Sequence, residues 1–226
     1  MTKAADWARN KLGYQFSSSQ LLDQALTHRS AGTSHNERLE FLGDAVLGLV
    51  IARALFQAKP DAREGTLSRY RARLVRRDTL AALARELDLG SQLRMGGGEQ
   101  RSGGHQRASV LADTLEALFG AILLHGGFAA AEAVILAVYA DRLAQLPAES
   151  ELVDAKTALQ EYLQSRGLAP PLYTLEETTG AAHAQTFTAG CCIETMNLRT
   201  NGIGQSRRQA EQRAAAAALD KLQHDH

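Results

Sequence analysis

The chain has 226 residues, of which 45% are hydrophobic, so it can bury one full core and a smaller one, as expected for a soluble protein of two domains. Its only cysteines, Cys191 and Cys192, are adjacent, which excludes a disulfide framework and favours a reducing, cytoplasmic compartment. The formal net charge is +0, and the longest apolar run, residues 45–52, is well short of the ~18 residues of a membrane span, so we expect no membrane partner.

Residues 1–146 are predicted to be all helical. Apolar residues recur there at helical spacing, as in Leu80, Leu83 and Leu87, with almost none of the alternation seen in strands. Positive charge is concentrated in this part, because residues 62–109 contain ten arginines against five acids, an excess of +5. The excess suits a polyanionic partner, although a solvated helix face with ion pairs would explain the charge equally well.

The most informative segment reads Asn-Glu-Arg-Leu-Glu-Phe-Leu-Gly-Asp-Ala-Val-Leu and occupies residues 36–47. An α-helix would carry Glu37, Glu40 and Asp44 along one face, because they are spaced at i, i+3 and i+7. Like charges this close repel one another, and each raises the cost of ionising the next. An acidic stripe beside an apolar one therefore indicates a divalent metal site.

A second acidic pair lies in another strongly apolar helical segment, where Asp113 and Glu116 are spaced at i, i+3. If the two helices pack side by side, their carboxylates would surround one hard cation, with water completing the octahedron that Mg²⁺ prefers. The residues predicted to surround the ion are Glu40, Asp44, Asp113 and Glu116, with Glu37 and Glu64 beside them.

Ordinary structural roles would also explain several of these acids. Glu37 would pair with Ser34 in a capping box, Asp113 would cap a helix to which Glu116 reaches back, and Glu64 would be a solvated loop acid. The Glu40 and Asp44 pair fits such roles less well, because an unpaired acid among apolar residues is costly.

A glycine-rich segment, residues 96–104, is predicted to be a flexible loop. Arg101, Arg107 and Ser109, within or just after it, are candidates for contacts with backbone phosphates, although a mobile surface loop explains them as well.

A short polar segment, residues 147–153, is predicted to link two domains. The pattern then changes to a helix, three strands and a final alanine-rich helix, in which Ser206 and Gln209 form a capping-box signature. The predicted elements are a helix over residues 154–166, strands over 172–178, 185–193 and 198–204, and a helix that ends near residue 223.

Residues 36–47 resemble the signature of the ribonuclease III family. Residues 25–30 (Ala-Leu-Thr-His-Arg-Ser), 64–65 (Glu-Gly) and 112–117 (Ala-Asp-Thr-Leu-Glu-Ala) resemble its other characteristic segments, in the same order and spacing. The C-terminal α-β-β-β-α unit resembles a double-stranded-RNA-binding domain. The residues that carry this second resemblance are Thr157, Gln160, Glu161, Gly180 to His183, and Ser206 to Glu211.

The resemblance implies an all-α endonuclease domain over residues 1–146, a linker over 147–153, and a small α+β double-stranded-RNA-binding domain over 154–226. It implies a homodimer in which Phe41, otherwise read as an ordinary core residue, plugs into the partner subunit. By similarity, Glu40, Asp44, Asp113 and Glu116 bind Mg²⁺, for which Mn²⁺ substitutes. Asp44 and Glu116 would be the most indispensable for catalysis, while Glu37 and Glu64 would assist RNA engagement near the scissile bond.

The implied activity is hydrolysis of double-stranded RNA to staggered products with 5′-phosphate and 3′-hydroxyl ends, in the processing of ribosomal and messenger precursors. The alternative is a non-catalytic RNA-binding scaffold, against which the intact acidic set argues. A metal-carboxylate redox bundle is disfavoured because the sequence has no Glu-x-x-His pair.

RNA recognition would come from shape, because A-form RNA displays 2′-hydroxyls in a shallow minor groove. By similarity, one minor groove is met by Thr157, Gln160, Glu161 and Gln164, the next by His183, and phosphates by Ser206, Arg207 and Arg208. The domain is not basic overall, since residues 154–226 contain seven Lys and Arg against eight acids. We therefore expect modest affinity with marked salt dependence, much of it from Arg101, Arg107 and the other arginines of the nuclease domain.

Overall fold

The computed structural model describes residues 3–149, 152, 155–180 and 185–224. Contacts between residues divide the chain into two units, of which unit 1 ends at Pro147 and unit 2 begins at Ala148. His183, predicted to contact RNA, lies outside the described residues, as do positions 150, 151 and 153 of the expected linker.

Unit 1 is built from helices, as the apolar spacing predicted. They are α1 (Lys3–Trp7), which continues into a π-helical turn (Ala8–Leu12), α2 (Ser19–Ala25), α3 (Glu37–Ala58), α4 (Glu64–Val75), α5 (Arg77–Glu86), α6 (Gly97–Arg101), α7 (Ala108–Val138) and α8 (Ala140–Ala144). The all-helical prediction for this part of the chain is confirmed.

Helices α3 and α7 make the most extensive contact in unit 1, and they cross at two glycines. A Cβ atom at Gly43 of α3 would overlap the backbone carbonyl of Glu116, and one at Gly120 of α7 would overlap the carbonyl oxygen of Leu39. The two backbones therefore touch without intervening side chains. This close approach carries the acidic segment of α3 directly against the acidic segment of α7.

Helix α7 is long and apolar enough to cross a membrane by length and composition alone. Reading only uninterrupted apolar runs misses it, because Asp113 and Glu116 break the pattern. In the structure it is the core helix of unit 1, with Leu115, Leu118 and Phe119 fully buried, and it packs against α2, α3 and α5. It bends at Gly127, whose φ of 78° lies in the left-handed region.

The glycine-rich segment is ordered into helical turns, so its prediction as a flexible loop is wrong. It contains α6 and a 3₁₀ turn over Gly104–Gln106. Close packing requires glycine at position 96, where a Cβ atom would overlap the carbonyl oxygen of Ser30, and the Gly96 N–H donates to Ser30 Oγ at 2.9 Å. An ion pair of 2.7 Å between Arg107 and Glu99 links the end of the segment to α6.

Unit 2 has the predicted α-β-β-β-α order, which is confirmed. Its elements are α9 (Ala155–Gln164), β1 (Leu172–Thr179), β2 (Thr186–Ile193), β3 (Leu198–Gly204) and α10 (Arg207–His224). The strands form one antiparallel sheet in the order β1-β2-β3. Cys191 is buried against the helices while Cys192 is partly exposed, as expected for neighbours on a strand.

The predicted cap of α10 is present in a modified form. The Gln209 N–H donates to Ser206 Oγ at 3.2 Å, as in a capping box, but the Gln209 side chain accepts from the N–H of Gln205 at 2.8 Å. Two backbone donors at the start of the helix are satisfied in this way.

Candidate metal centre and nucleic-acid interface

Three carboxylates converge where α3 and α7 cross. Glu40 of α3 and Asp113 and Glu116 of α7 each offer an oxygen, and these oxygens lie within 4.8 Å of one another. Hard cations such as Mg²⁺ and Ca²⁺ bind through oxygen ligands of this kind. The cluster therefore has the composition and spacing of a divalent metal site.

The acids of the cluster are difficult to ionise without a cation. Burial raises the pKa of Glu116 to about 8, with further contributions from the negative charges of Asp44, Glu40 and Asp113. The pKa of Glu40 is also raised, first by burial and then by Asp113 and its other acidic neighbours. A divalent cation would offset both the burial and the repulsion, because it favours the charged form of each carboxyl.

Cationic side chains on one side of the cluster act in the opposite direction. Burial raises the pKa of Asp113, but the charges of Arg77, His28 and Arg29 lower it. Arg29 also forms an ion pair of 3.3 Å with the exposed Glu37. The cluster thus has cationic as well as acidic neighbours.

Three of the predicted site acids lie outside the converging group. Asp44 is exposed and is not one of the three carboxylates that share the site, although its charge raises the pKa of Glu116. Glu37 is the first residue of α3 and faces the adjoining cleft. Glu64 is exposed at the start of α4, where it accepts a hydrogen bond of 2.7 Å from Ser68, and it does not line the cleft.

The structure also decides the helix-capping alternatives. Helix α3 begins at Glu37 with Asn36 as the preceding residue, so Ser34 is not its cap. Asp113 lies more than a turn inside α7, which begins at Ala108, so it does not cap that helix. The two capping arrangements proposed for Glu37 and Asp113 are therefore absent.

A cleft of about 550 Å³ opens beside the cluster. Five of the residues that line the cleft were predicted from the sequence as site residues. They are Glu37, Glu40, Arg107, Ser109 and Asp113. The cleft also contains residues to which no role was given, namely His28, Arg29, Ser30, Asn36, Glu99 and Val110. The signal for the first three was present, because they belong to the family-like segment at residues 25–30. Arg101 does not line this cleft, and its Nε donates to the carbonyl oxygen of Gly97 at 3.0 Å.

Phe41 is not a core residue, because 80% of it is exposed. Leu49 and Phe56, also on α3, are 56% and 71% exposed. At about 100° per residue the three side chains fall within a sector of about 80° around the helix. They form an apolar stripe on the surface of unit 1, called the α3 stripe below.

In unit 2 the predicted RNA-contacting residues of α9 share one exposed face at i, i+3, i+4 and i+7. They are Thr157, Gln160, Glu161 and Gln164. Thr157 and Gln160 line a cleft of about 370 Å³ together with Arg208, which was predicted to meet phosphates. Ser206 and Arg207 are exposed at the start of α10.

Sequence reasoning missed an ion network at the edge of this cleft. Glu211 is 8% exposed, and its carboxylate binds Lys156 at 2.6 Å and Arg207 at 2.8 Å. The Lys156 ammonium also lies 4.3 Å from the centre of the Tyr173 ring. Both cations hold the pKa of Glu211 below its usual range through hydrogen bonds. Glu211 therefore fixes two positive side chains beside the predicted RNA-binding residues.

Comparisons with known sequences support the family predicted for each of the two units. Residues 18–143 match the family model described as Ribonuclease-III-like, and residues 155–222 match the double-stranded RNA binding motif. The chain is 50% identical over 226 residues to ribonuclease 3 of Alkalilimnicola ehrlichii, covering 100% of this chain and 99% of the relative. It is 57% identical over 212 residues to ribonuclease 3 of Dechloromonas aromatica, covering 94% and 96%.

Solved structures are similar to unit 1. The crystal structure of the nuclease domain of ribonuclease III from Campylobacter jejuni has a TM-score of 0.61 and 41% identity, covering 65% of this chain and 100% of that chain. A second structure of that domain has a TM-score of 0.59 and 42% identity, covering 60% and 96%. It is described for structural flexibility in a region involved in dimer formation.

Proposed function

The chain belongs to the ribonuclease III family, and we propose that it is a metal-dependent endoribonuclease that hydrolyses double-stranded RNA. The observation that carries the proposal is the convergence of Glu40, Asp113 and Glu116 beside a large polar cleft. A metal-binding acidic cluster and a double-stranded-RNA-binding unit in one chain fit a nuclease better than a scaffold.

Mg²⁺ is the proposed ion, because every donor is a carboxylate oxygen, and Mn²⁺ is expected to substitute. A bound divalent ion supplies charge neutralisation at the scissile phosphate and lowers the pKa of a water molecule. Glu40, Asp113 and Glu116 would hold the ion, and Asp44 would contribute negative charge beside Glu116. Asp44 and Glu116 are the proposed essential residues for catalysis.

The cleft residues orient the RNA strand. Arg107 and Ser109 offer donors to backbone phosphates. Glu37, also in the cleft, and Glu64, outside it, are proposed to assist RNA engagement near the scissile bond. Water that attacks in line with the leaving 3′-oxygen leaves a 5′-phosphate and a 3′-hydroxyl. Cleavage of both strands by two copies gives staggered ends.

We propose that a second copy of the chain binds to the α3 stripe. Large apolar side chains that lie together on a surface mark an interaction site, and Phe41 is the most exposed of the three. The nuclease domain from Campylobacter jejuni is described as having a region involved in dimer formation, which supports a second copy of the chain as the partner. We propose a homodimer in which Phe41 inserts into the partner.

Unit 2 supplies the choice of substrate. We propose domains at residues 1–146 and 154–226 with a linker at 147–153, supported by the division of contacts after Pro147. The exposed face of α9 would meet a minor groove, while Arg207 and Arg208 at the start of α10 would meet phosphates. Structured ribosomal and messenger precursors in the cytoplasm are the proposed substrates.

The test is incubation of long duplex RNA with the protein and Mg²⁺, alongside the Asp44→Asn and Glu116→Gln variants and a chelator control. We expect cutting to be lost in both variants while RNA binding measured with Ca²⁺ or without metal is retained. Glu132→Gln is the matched control, because Glu132 lies on α7 but pairs with Arg53 at 2.8 Å instead of joining the cluster. Wild-type cutting rates in Glu116→Gln would overturn the proposal, and an inactive wild type that binds duplex RNA would favour a scaffold.

A further inference from the structure

Two buried polar side chains meet where the acidic helices begin to pack. Asn36 is 3% exposed and Thr114 is fully buried, and they are the buried polar residues of unit 1 among those that the structure describes. The Asn36 amide donates from Nδ2 to Thr114 Oγ1 at 3.4 Å, and the Thr114 hydroxyl donates to the carbonyl oxygen of Val110 at 2.7 Å. Because the hydroxyl proton is already used, Thr114 offers Asn36 only a lone pair.

This contact lies at the level of the metal-binding carboxylates on both helices. Thr114 directly follows Asp113 and precedes Glu116 by two residues on α7. On the other side, the carbonyl oxygen of Asn36 accepts from the Glu40 N–H at 2.9 Å, so Glu40 stands one helical turn after Asn36. The Asn36 N–H donates to the carbonyl oxygen of Thr27 at 3.0 Å, which attaches the cleft-lining segment to the same point.

The glycine contacts between α3 and α7 do not by themselves fix the register of the two helices. Backbone contact at Gly43 and Gly120 sets how closely the two helices approach. Apolar packing is non-directional, however, and it resists small rotation or sliding of one helix on the other less than a hydrogen bond between them does. A shift that separates the pair is penalised, because the buried Asn36 Nδ2 would lose this acceptor, while the Thr114 hydroxyl would keep its hydrogen bond to Val110.

We propose that Asn36 is a positioning residue, which acts through Thr114 to hold Glu40 in register with Asp113 and Glu116 so that the three carboxylates share one cation. The inference rests on the proposed metal-dependent function. It assigns to Asn36 no contact with the ion or the RNA.

The direct test measures Mn²⁺ binding to the full-length metal-free protein by calorimetry, without RNA. Thr114→Val keeps the shape of the side chain and removes the acceptor, whereas Thr114→Ser keeps the hydroxyl. Loss of residues that orient metal ligands typically weakens metal binding by about 10- to 100-fold, and we expect Thr114→Val to weaken it by about 10-fold. Thr114→Ser should stay close to the wild type, and the kcat of Thr114→Val should recover at high Mg²⁺ because its ligands are intact.

A second variant separates positioning from general loss of stability. The double variant Asn36→Leu with Thr114→Val replaces both polar partners by apolar groups of similar shape, a change that is often nearly neutral for folding. We expect its thermal stability to recover relative to Thr114→Val, while Mn²⁺ binding stays weak. Recovery of metal affinity together with stability would show a merely structural role and overturn the proposal.

The matched control lies in unit 2. Thr200 is 6% exposed, and its hydroxyl donates to the carbonyl oxygen of Ala214 at 2.7 Å, so Thr200→Val removes a similar buried hydrogen bond. Its stability should fall while Mn²⁺ affinity is unchanged. Failure of the wild type to bind Mn²⁺ more tightly than Glu116→Gln would count against the proposed function itself, whereas equal affinity in the wild type and Thr114→Val would count only against the role of Asn36.

Discussion

Replacing Glu116 by Gln should make the metal-free protein more stable at alkaline pH while abolishing RNA cleavage. In the folded chain the Glu116 carboxyl is partly buried beside three other acids, and its pKa is raised from 4.5 to about 8. Between these values the unfolded chain has released the proton that the folded chain still binds. The free energy of unfolding therefore falls as the pH rises through this window, and it levels off above about pH 8.

The size of the effect follows from the pKa difference. At about 1.4 kcal/mol per pKa unit, a rise from 4.5 to about 8 sets an upper limit of about 5 kcal/mol for the stability lost at high pH. Side chains that rotate toward solvent would relieve part of the repulsion, so we expect a gain of about 2 to 5 kcal/mol for Glu116→Gln near pH 8. Near pH 5 the two proteins should differ little, because the wild-type carboxyl is then protonated in the folded state.

Trp7 provides the assay. It is the single tryptophan of the chain, it is 7% exposed, and its indole donates to the carbonyl oxygen of Leu87 at 2.8 Å, so its fluorescence reports the unfolding of unit 1. Urea unfolding in chelator at about pH 5.5, 7 and 8.5 should show wild-type stability falling with pH and a shallower fall in Glu116→Gln. Glu132→Gln should retain the wild-type slope. Wild-type stability that is flat or rising over this range would refute the reasoning.

Other changes test further parts of the structure. Gly43→Ala should lower the free energy of unfolding by about 1 to 3 kcal/mol or more in urea, because its methyl group would overlap the Glu116 carbonyl, whereas Gly98→Ala, with open space around it, should not be destabilising. Phe41→Ala should convert a dimer into monomers in sedimentation experiments without loss of helix content, while Leu172→Ala, also at an exposed apolar position, should leave the dimer intact. Glu211→Ala should destabilise unit 2 in thermal unfolding by about 1 to 3 kcal/mol near neutral pH. Because the pKa of Glu211 is lowered in the folded chain, this difference should shrink as the pH falls below the usual range of a carboxyl.

The spacing of the acids on α3 was sufficient to predict a metal site, but it did not show which of these acids would be ligands. Helical periodicity fixes the direction of a side chain around its own axis, and it placed Glu37, Glu40 and Asp44 on one face. Which of them meets the acids of α7 depends on where the two helices cross, a property of both surfaces together. Gly43 is one of the two glycines at the crossing, and the sequence alone does not show that Glu116 of α7 packs against it.

Exposure of Phe41 shows a second limit of the same kind. Its apolar side chain follows Glu40 in a helix rich in buried residues, so its pattern alone indicates a core position. The pattern reports that a side chain needs to be buried, and it does not distinguish burial within one chain from burial against another. The α3 stripe is visible only when the surface of the folded unit is known.

The charge of unit 2 illustrates why a count of residues is a poor guide to nucleic-acid binding. Seven bases against eight acids over residues 154–226 would suggest a surface indifferent to RNA. In the folded unit one of those acids, Glu211, is enclosed by Lys156 and Arg207, and another, Glu176, binds Asn201 on the sheet face opposite the helices. Arg208 and the polar face of α9 lie exposed, and Arg208 lines one cleft together with Thr157 and Gln160. Since each neutralised phosphate contributes separately to the dependence of binding on salt, the salt slope should reflect this local arrangement and not the net charge of the domain.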